Sequence, residues 1–241
     1  MRRFQKGRFL DLPFFFYVWA VPSAIRNPFG YWSIRLLRTA VIVFSLPLIL
    51  TVMFRWVPVP TTAFMLRHWI TEGKTYRYEW VSADEVSKWP GKAVVASEDQ
   101  RFFDHWGLDL QAIDKALDER KRGRRARGAS TISQQVIKNL YLWPGQSWFR
   151  KGLEAVYTVW MELVLPKDRI LLIYVNIAEF GYGVYGVEAA AQGYFKKPAA
   201  KLTRAEAALM AVVLPNPKRM RLDRPGPYMR GRQQWVLGQM Y

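Results

Sequence analysis

Cysteine is absent from this chain of 241 residues, and histidine is limited to two, His68 and His105. Those absences exclude disulfides, thiolate metal sites and a cysteine nucleophile, and leave too few imidazoles for a His-rich metal centre. Acids are scarce too. Only 19 Asp and Glu stand against 36 Lys and Arg, a formal charge of +17. An anionic partner is therefore expected: nucleic acid, a phospholipid surface or a phosphorylated substrate. No alternating apolar run of useful strand length appears, and no internal repeat, so helices are the expected building material. Apolar and aromatic residues, 51% and 15% of the chain, suffice for one large domain, or for a domain of about 170 residues with an appendage.

One long uncharged run is present. Thr39–Phe54 reads TAVIVFSLPLILTVMF between Arg38 and Arg55. With Leu36, Leu37, Trp56 and Val57 it approaches the ~20 residues that cross a hydrocarbon core, so residues 36–57 are expected to span a membrane. The two arginines can snorkel, Trp56 suits an interface, and a membrane helix tolerates Pro47. The alternative is a buried soluble helix. A cleaved signal peptide fits less well, because the run begins late and no small-residue cleavage pattern follows it. Ahead of it stand Arg2, Arg3, Lys6, Arg8, Arg26, Arg35 and Arg38 against the acid Asp11. The positive-inside rule then puts residues 1–35 in the cytoplasm and everything after Arg55 outside. Pro13-Phe14-Phe15-Phe16-Tyr17-Val18-Trp19 is too short to span but could lie in the interface.

After the stiff connector Val57-Pro58-Val59-Pro60-Thr61, the pattern is helical. Ser82-Ala83-Asp84-Glu85 reads as a capping box opening a short helix that ends near Pro90 and Gly91. Asp109 can cap a helix carrying Leu110, Ile113 and Leu117 on one face, and Ser130 one with Ile132, Val136, Ile137 and Leu140 inward. Phe149, Leu153, Val156, Tyr157, Trp160 and Val164 recur at helical spacing over 148–164. Residues 168–178 are apolar nearly all round and so central. Thr203-Arg204-Ala205-Glu206 starts another helix, stopped by Pro215-Asn216-Pro217. The expectation is a compact α-helical domain from about residue 62 onward, with at most a small hairpin.

Three polar islands interrupt this apolar background. Glu98 ends the run Lys92-Ala93-Val94-Val95-Ala96-Ser97, where desolvation can raise a carboxylate's proton affinity and suit it to general-base work. Glu154 follows Arg150 and Lys151 at helical spacing, so a site there could hold an anion between cations and a carboxylate; the plain alternative is a surface ion pair with Arg150. Gly128-Ala129-Ser130-Thr131-Ile132-Ser133-Gln134-Gln135 offers free N–H groups at a helix start, fit for an anion, or is simply an N-capped helix. Two carboxylates in a cleft suggest glycosidic-bond chemistry. With a phosphate leaving group no acid is required, since Lys and Arg can neutralise the departing charge. The cation surplus near Glu154 points to a sugar-phosphate donor. The run Arg120, Lys121, Arg122, Arg124, Arg125 and Arg127 reads as a solvated, membrane-facing or pyrophosphate-facing loop, and the outward topology argues against nucleic acid. His105 on its own reads as structural. Gly181, Gly183 and Gly186 form a tight aromatic loop with the wrong spacing for a dinucleotide fingerprint.

Taken in order, these islands resemble the peptidoglycan glycosyltransferases of family 51, in their monofunctional form. Glu98-Asp99-x-x-Phe102-x-x-His105-x-Gly107 is similar to the first family motif. The stretch from Gly128 to Gln135, continuing through Lys138-Asn139-Leu140, resembles the second. Arg150-Lys151-x-x-Glu154 resembles the third, and Lys167-x-x-Ile170-Leu171-x-x-Tyr174-Val175-Asn176 the fourth. The fifth, near Arg232-Gln233-Gln234-Trp235-Val236-Leu237, departs from the usual paired arginines at Gln233, and Leu172 stands where an acid is common. The resemblance runs from about Val59 to the C-terminus.

It implies a mainly α, lysozyme-like helical domain over residues 58–241, with a small membrane-dipping lobe near 106–150. It also implies that a lipid-linked glycan donor reacts with lipid II to form a β-1,4 bond with inversion. Glu98 would take the proton from the acceptor's 4-hydroxyl, and Glu154 would assist at the donor pyrophosphate. Asp99, Phe103, His105, Gly128, Ser130, Thr131, Gln134, Gln135, Lys138, Asn139, Arg150, Lys151 and Asn176 would bind substrate. No cofactor is expected, beyond stimulation by a divalent cation without a dedicated site. Lipid II, the lipid-linked glycan, anionic membrane lipids and cell-wall synthesis or division proteins are the implied partners, at the bacterial inner membrane with the domain in the periplasm. Neither Ser-x-x-Lys nor Lys-Thr-Gly occurs, so no transpeptidase domain is expected. The rivals are a glycan-cleaving lysozyme-like lytic transglycosylase, which would have no pyrophosphate to bind, and a basic membrane-anchored binding protein, which would have no use for Glu98.

Overall fold

The computed structural model describes residues 28–123, 130–145 and 147–240. Gly128, Ala129, Arg124, Arg125, Arg127 and everything before Pro28, including the aromatic stretch and Arg2, Arg3, Lys6, Arg8 and Arg26, lie outside the described residues, as does the side chain of Leu117. The chain forms two units, Met1–Pro47 and Leu48–Tyr241. Helix α1, Pro28–Met53, begins in the first and ends in the second. Its stretch Tyr31–Met53 is long and apolar enough to cross a membrane. Helical structure starts before the expected segment and stops short of Trp56 and Val57, while Pro47 sits inside it without ending it.

The second unit is mainly helical. Its helices are α2 (Ala63–Glu72), α3 (Lys88–Glu98), α4 (Leu110–Lys121), α5 (Ile132–Tyr141), α6 (Trp148–Val164), α7 (Lys167–Ile177), the short α8 (Val187–Ala190), α9 (Arg204–Val213) and α10 (Pro227–Gln239). Strands β1 (Arg77–Tyr78), β2 (Glu179–Gly181) and β3 (Val184–Tyr185) form a small sheet in the order β1-β3-β2, parallel between β1 and β3 and antiparallel between β2 and β3. The expected hairpin is β2–β3. Helix α9 packs on α3 and α10, and α5 packs on α6 and α7. Ile132, Val136, Ile137 and Leu140 of α5 are buried as expected, and α7 is central.

Two helix starts differ from the sequence reading. Ser82 and Glu85 do bond each other, the N–H and hydroxyl of Ser82 both donating to Glu85 Oε2, but this closes a turn and opens no helix. Helix α3 begins at Lys88 and runs through Pro90 and Gly91 to Glu98. Pro90 falls in the first turn, where a backbone N–H would have no intrahelical partner, so its ring does no harm. At Gly91 a Cβ would lie 3.2 Å from Leu171 Cδ2, so the glycine lets α3 approach α7. The cap of α5 is Thr131, not Ser130: its hydroxyl accepts from the Gln134 N–H, and the Gln134 side chain accepts from the Thr131 N–H.

Helix α6 is amphipathic in the reverse sense. Its apolar spacing located it correctly, yet Trp148, Phe149, Val156, Val159 and Leu163 are exposed, whereas Arg150, Glu154, Thr158 and Glu162 are buried beside Tyr157 and Met161. A water-soluble helix turns the other way. Trp160 Nε1 of the same helix donates to the Leu48 carbonyl at 3.1 Å, and Thr51 bonds Tyr141 Oη at 3.0 Å. The last turns of α1 are thereby fixed to the helical unit.

Asn176 is fully buried in α7. Its Oδ1 accepts from the Val81 N–H at 2.9 Å, and its Nδ2 donates to the Val81 and Leu172 carbonyls at 3.0 and 2.9 Å. These three bonds close the chain onto α7, so Asn176 carries a structural task alongside the substrate role that its motif implies. Asn176→Ala should leave two backbone groups of Val81 unsatisfied and destabilise the fold by roughly 2–4 kcal/mol. Thermal unfolding checks this, and an unchanged Tm would remove the assignment.

Candidate active site

Glu98 is the last residue of α3, following the buried Ala93, Val94 and Ala96. One carboxylate oxygen, Oε2, accepts from Gln135 Nε2 at 3.0 Å. Burial pushes its pKa up, while the Gln135 bond and the charges of Arg232 and Lys138 pull it back and Asp99 adds a smaller upward push. The result is a carboxylate that holds a proton more firmly than usual, as the apolar run suggested.

Lys138 lies one turn beyond Gln135 on α5. Burial pushes its pKa down; Glu154 and Glu98 raise it, Arg150 and Lys151 lower it. The charges of both carboxylates thus act on Lys138. On α6, Arg150 Nη1 donates to Glu154 Oε2 at 2.6 Å, and Lys151 bonds the other oxygen, Oε1. Lys151 Nζ also reaches Ser130 Oγ at 3.4 Å. Glu154 is only 2% exposed, so the surface ion pair considered from sequence exists but is interior. Arg150 Nε is buried without a partner among the described residues.

Other expected site residues stand behind this surface. Asp99 accepts from the Ile132 N–H at 3.0 Å and from His105 Nε2 at 3.0 and 3.1 Å. The pair ties the turn after Glu98 to the start of α5. Thr131 donates to the Gly107 carbonyl, and Gln134 is buried in the capping box. Gly107 has φ of +77°, and a Cβ there would meet Thr158 Cγ2 at 2.6 Å and Glu162 Cγ at 2.8 Å. Only glycine fits. Asp99, His105, Thr131 and Gln134 are thus buried and hydrogen-bonded within the fold, a structural setting of the kind the residue type alone suggested for His105. Phe103 is exposed and lines an apolar cavity of about 490 Å³ with Val95, Ala96, Leu171 and Met240. Asn139 is half-buried on α5.

Two residues of the site were quoted from sequence only as parts of motifs. Tyr174 Oη donates to Gln135 Oε1 at 2.9 Å, and Arg232 on α10 places its charge on Glu98. Gln233, which replaces an expected arginine, donates to the Ala205 carbonyl at 2.7 Å and joins α10 to α9. Asp99, His105 and Asp109 bring ligand-capable atoms within 4.8 Å of one another. Their oxygens already accept from Ile132, His105, Ala112 and Arg101, so a metal would have to break existing bonds.

The arrangement joins a carboxylate tuned to accept a proton with a cation cluster able to hold a diphosphate. A transglycosylase family model matches residues 66–241. The biosynthetic peptidoglycan transglycosylases of Shigella sonnei (strain Ss046) and Escherichia coli (strain K12 / DH10B) are each 55% identical over 196 residues, covering 78% of this chain and 81% of the relative. With the family model covering nearly the whole helical unit and relatives this similar along most of their length, the chain belongs to the transglycosylase family.

Proposed function

We propose that this protein polymerises lipid II into glycan strands, with Glu98 as general base. Glu98 takes the proton of the acceptor's 4-hydroxyl as that oxygen attacks the anomeric carbon of the lipid-linked donor. The new β-1,4 C–O bond forms with inversion, the bond to phosphate breaks, and undecaprenyl diphosphate departs as an anion. Lys138, Arg150 and Lys151 receive its charge, with Glu154 holding the latter two in place and Ser130 and Gln135 at the edge of the same surface. The single observation that carries this reading is the start of α5, where Gln135 bonds Glu98 Oε2 at 3.0 Å and Ser130, just ahead of the helix, meets Lys151 of the Glu154 cluster at 3.4 Å. A base facing an anion-binding cluster matches a sugar-diphosphate donor. Cleavage of neutral sugar links would leave those cations without a task.

The membrane arrangement belongs to the same proposal. The N-terminal residues lie in the cytoplasm, the stretch Tyr31–Met53 crosses the inner membrane, and the helical unit that follows works in the periplasm, as the excess of Arg and Lys before the apolar run favours. The outward apolar face of α6 and the exposed Trp106, Leu110 and Trp143 suit a lobe resting in the bilayer surface among anionic lipids, where a lipid-tethered substrate is met in two dimensions. Detergent-solubilised protein incubated with lipid II should yield long glycan strands, and with finished peptidoglycan no soluble fragments. Release of fragments without strand growth would replace this reading with the lytic one.

A further inference from the structure

We propose that Tyr174 is a positioning residue for this reaction: through Gln135 it fixes one oxygen of Glu98 and leaves the other for the acceptor hydroxyl. The inference rests on Glu98 as the base. The two ends of a glutamine amide are alike in shape but opposite in hydrogen-bonding sense. An ionised carboxylate only accepts, so Gln135 must present its NH₂ to Glu98 Oε2, as it does at 3.0 Å. Its carbonyl then faces away and needs a donor, and the Tyr174 hydroxyl supplies one at 2.9 Å. Tyr174 is 1% exposed, and burial, with the charges of Glu98 and Asp99, keeps the phenol protonated far above its usual range. It is a permanent donor, so the chain of bonds runs in one direction only.

Without that hydroxyl the amide carbonyl loses its donor and only Glu98 itself selects the amide's orientation, so the NH₂ is held toward Glu98 less firmly. Glu98 Oε1 takes no hydrogen bond from the described residues, which leaves it free for the acceptor. The remaining groups acting on Glu98 are Lys138 on α5, Arg232 on α10 and the adjacent Asp99. A Tyr174→Phe change removes none of them and keeps the buried ring.

The test is the pH dependence of lipid II polymerisation by the full-length protein in detergent, for Tyr174→Phe, Gln135→Met and the double variant. Losing the Gln135 donor raises the Glu98 pKa, so a higher pH is needed to empty the base. Tyr174→Phe should move the acid limb of kcat/KM upward by about half a unit to one unit. It should also lower kcat roughly three- to tenfold at neutral pH with KM nearly unchanged. Gln135→Met should do at least as much, and adding Tyr174→Phe to it should change nothing further, since both act along one path. Gln135→Leu takes its place should the Met variant fail to fold by Tm. An acid limb identical to wild type, or a second loss of similar size in the double variant, overturns the proposal. Glu98→Gln run in parallel separates the two readings: retained polymerisation there would sink the base assignment itself, whatever Tyr174 does.

Discussion

Glu98→Gln should lower lipid II polymerisation roughly 10²–10⁴-fold and leave the protein at least as stable as wild type at neutral pH. The first half follows from removing the group proposed to take the acceptor's proton. The second follows from linkage. Burial raises the Glu98 pKa in the folded state, so between its unfolded and folded pKa values the native protein binds more protons than the unfolded chain. Its contribution to stability is present at low pH and is lost as pH rises through that window. Above it the buried carboxylate is a net cost, one that a neutral amide of the same shape does not carry. Gln at this position can still bond Gln135. Strand synthesis on a gel and thermal unfolding near neutral pH check both halves; a dead variant that is also markedly less stable would mean that Glu98 serves the fold. The wild-type profile should be a narrowed bell. Its acid limb lies above the ordinary carboxylate range, and its alkaline limb lies below the ordinary lysine range because burial depresses Lys138. Lys138→Arg, whose guanidinium stays charged, should push the alkaline limb outward and leave the acid limb alone.

The helices and the two carboxylates were legible in the sequence because their signals are local. Caps at Asp109 and Thr203, the periodicity of α5 and α6 and the uncharged run of α1 each depend on neighbours a few residues away. The start of α3 was misread for the same reason. Ser82 and Glu85 bond each other as a capping box would, and nothing local says that Pro90 is harmless at a third helical position. The direction of α6 was hidden because spacing reveals a stripe but not which side the core lies on; only the surroundings show that its charged face is interior. The structural bonds of Asn176 were hidden because its partner Val81 is 95 residues away in the chain. Arg232 and Tyr174 were invisible as site residues on equal grounds, since their approach to Glu98 and Gln135 depends on how α10 and α7 pack.

Lys151→Ala should weaken engagement of the lipid-linked glycan donor roughly tenfold, a modest value for a charged contact because the side chain is 40% exposed and screened by water. Fold stability should change little. Arg150→Ala should act differently. The Arg150–Glu154 pair has side-chain exposures of only 10% and 3%, and removing one partner of a buried pair costs about 3–5 kcal/mol because the other charge stays behind. Arg150→Ala therefore loses stability and donor binding together, and Arg150→Ala with Glu154→Gln should recover much of the stability but none of the activity. Both single variants should leave lipid II acceptance less affected than donor use, since Arg150 and Lys151 bond Glu154, whereas the proposal assigns the acceptor's hydroxyl to Glu98. Kinetics with a preformed lipid-linked glycan donor and lipid II varied separately give the answer. Equal losses for the two substrates would mean that Arg150 and Lys151 do not mark the donor side, and the assignment of the departing diphosphate to α6 would have to be withdrawn.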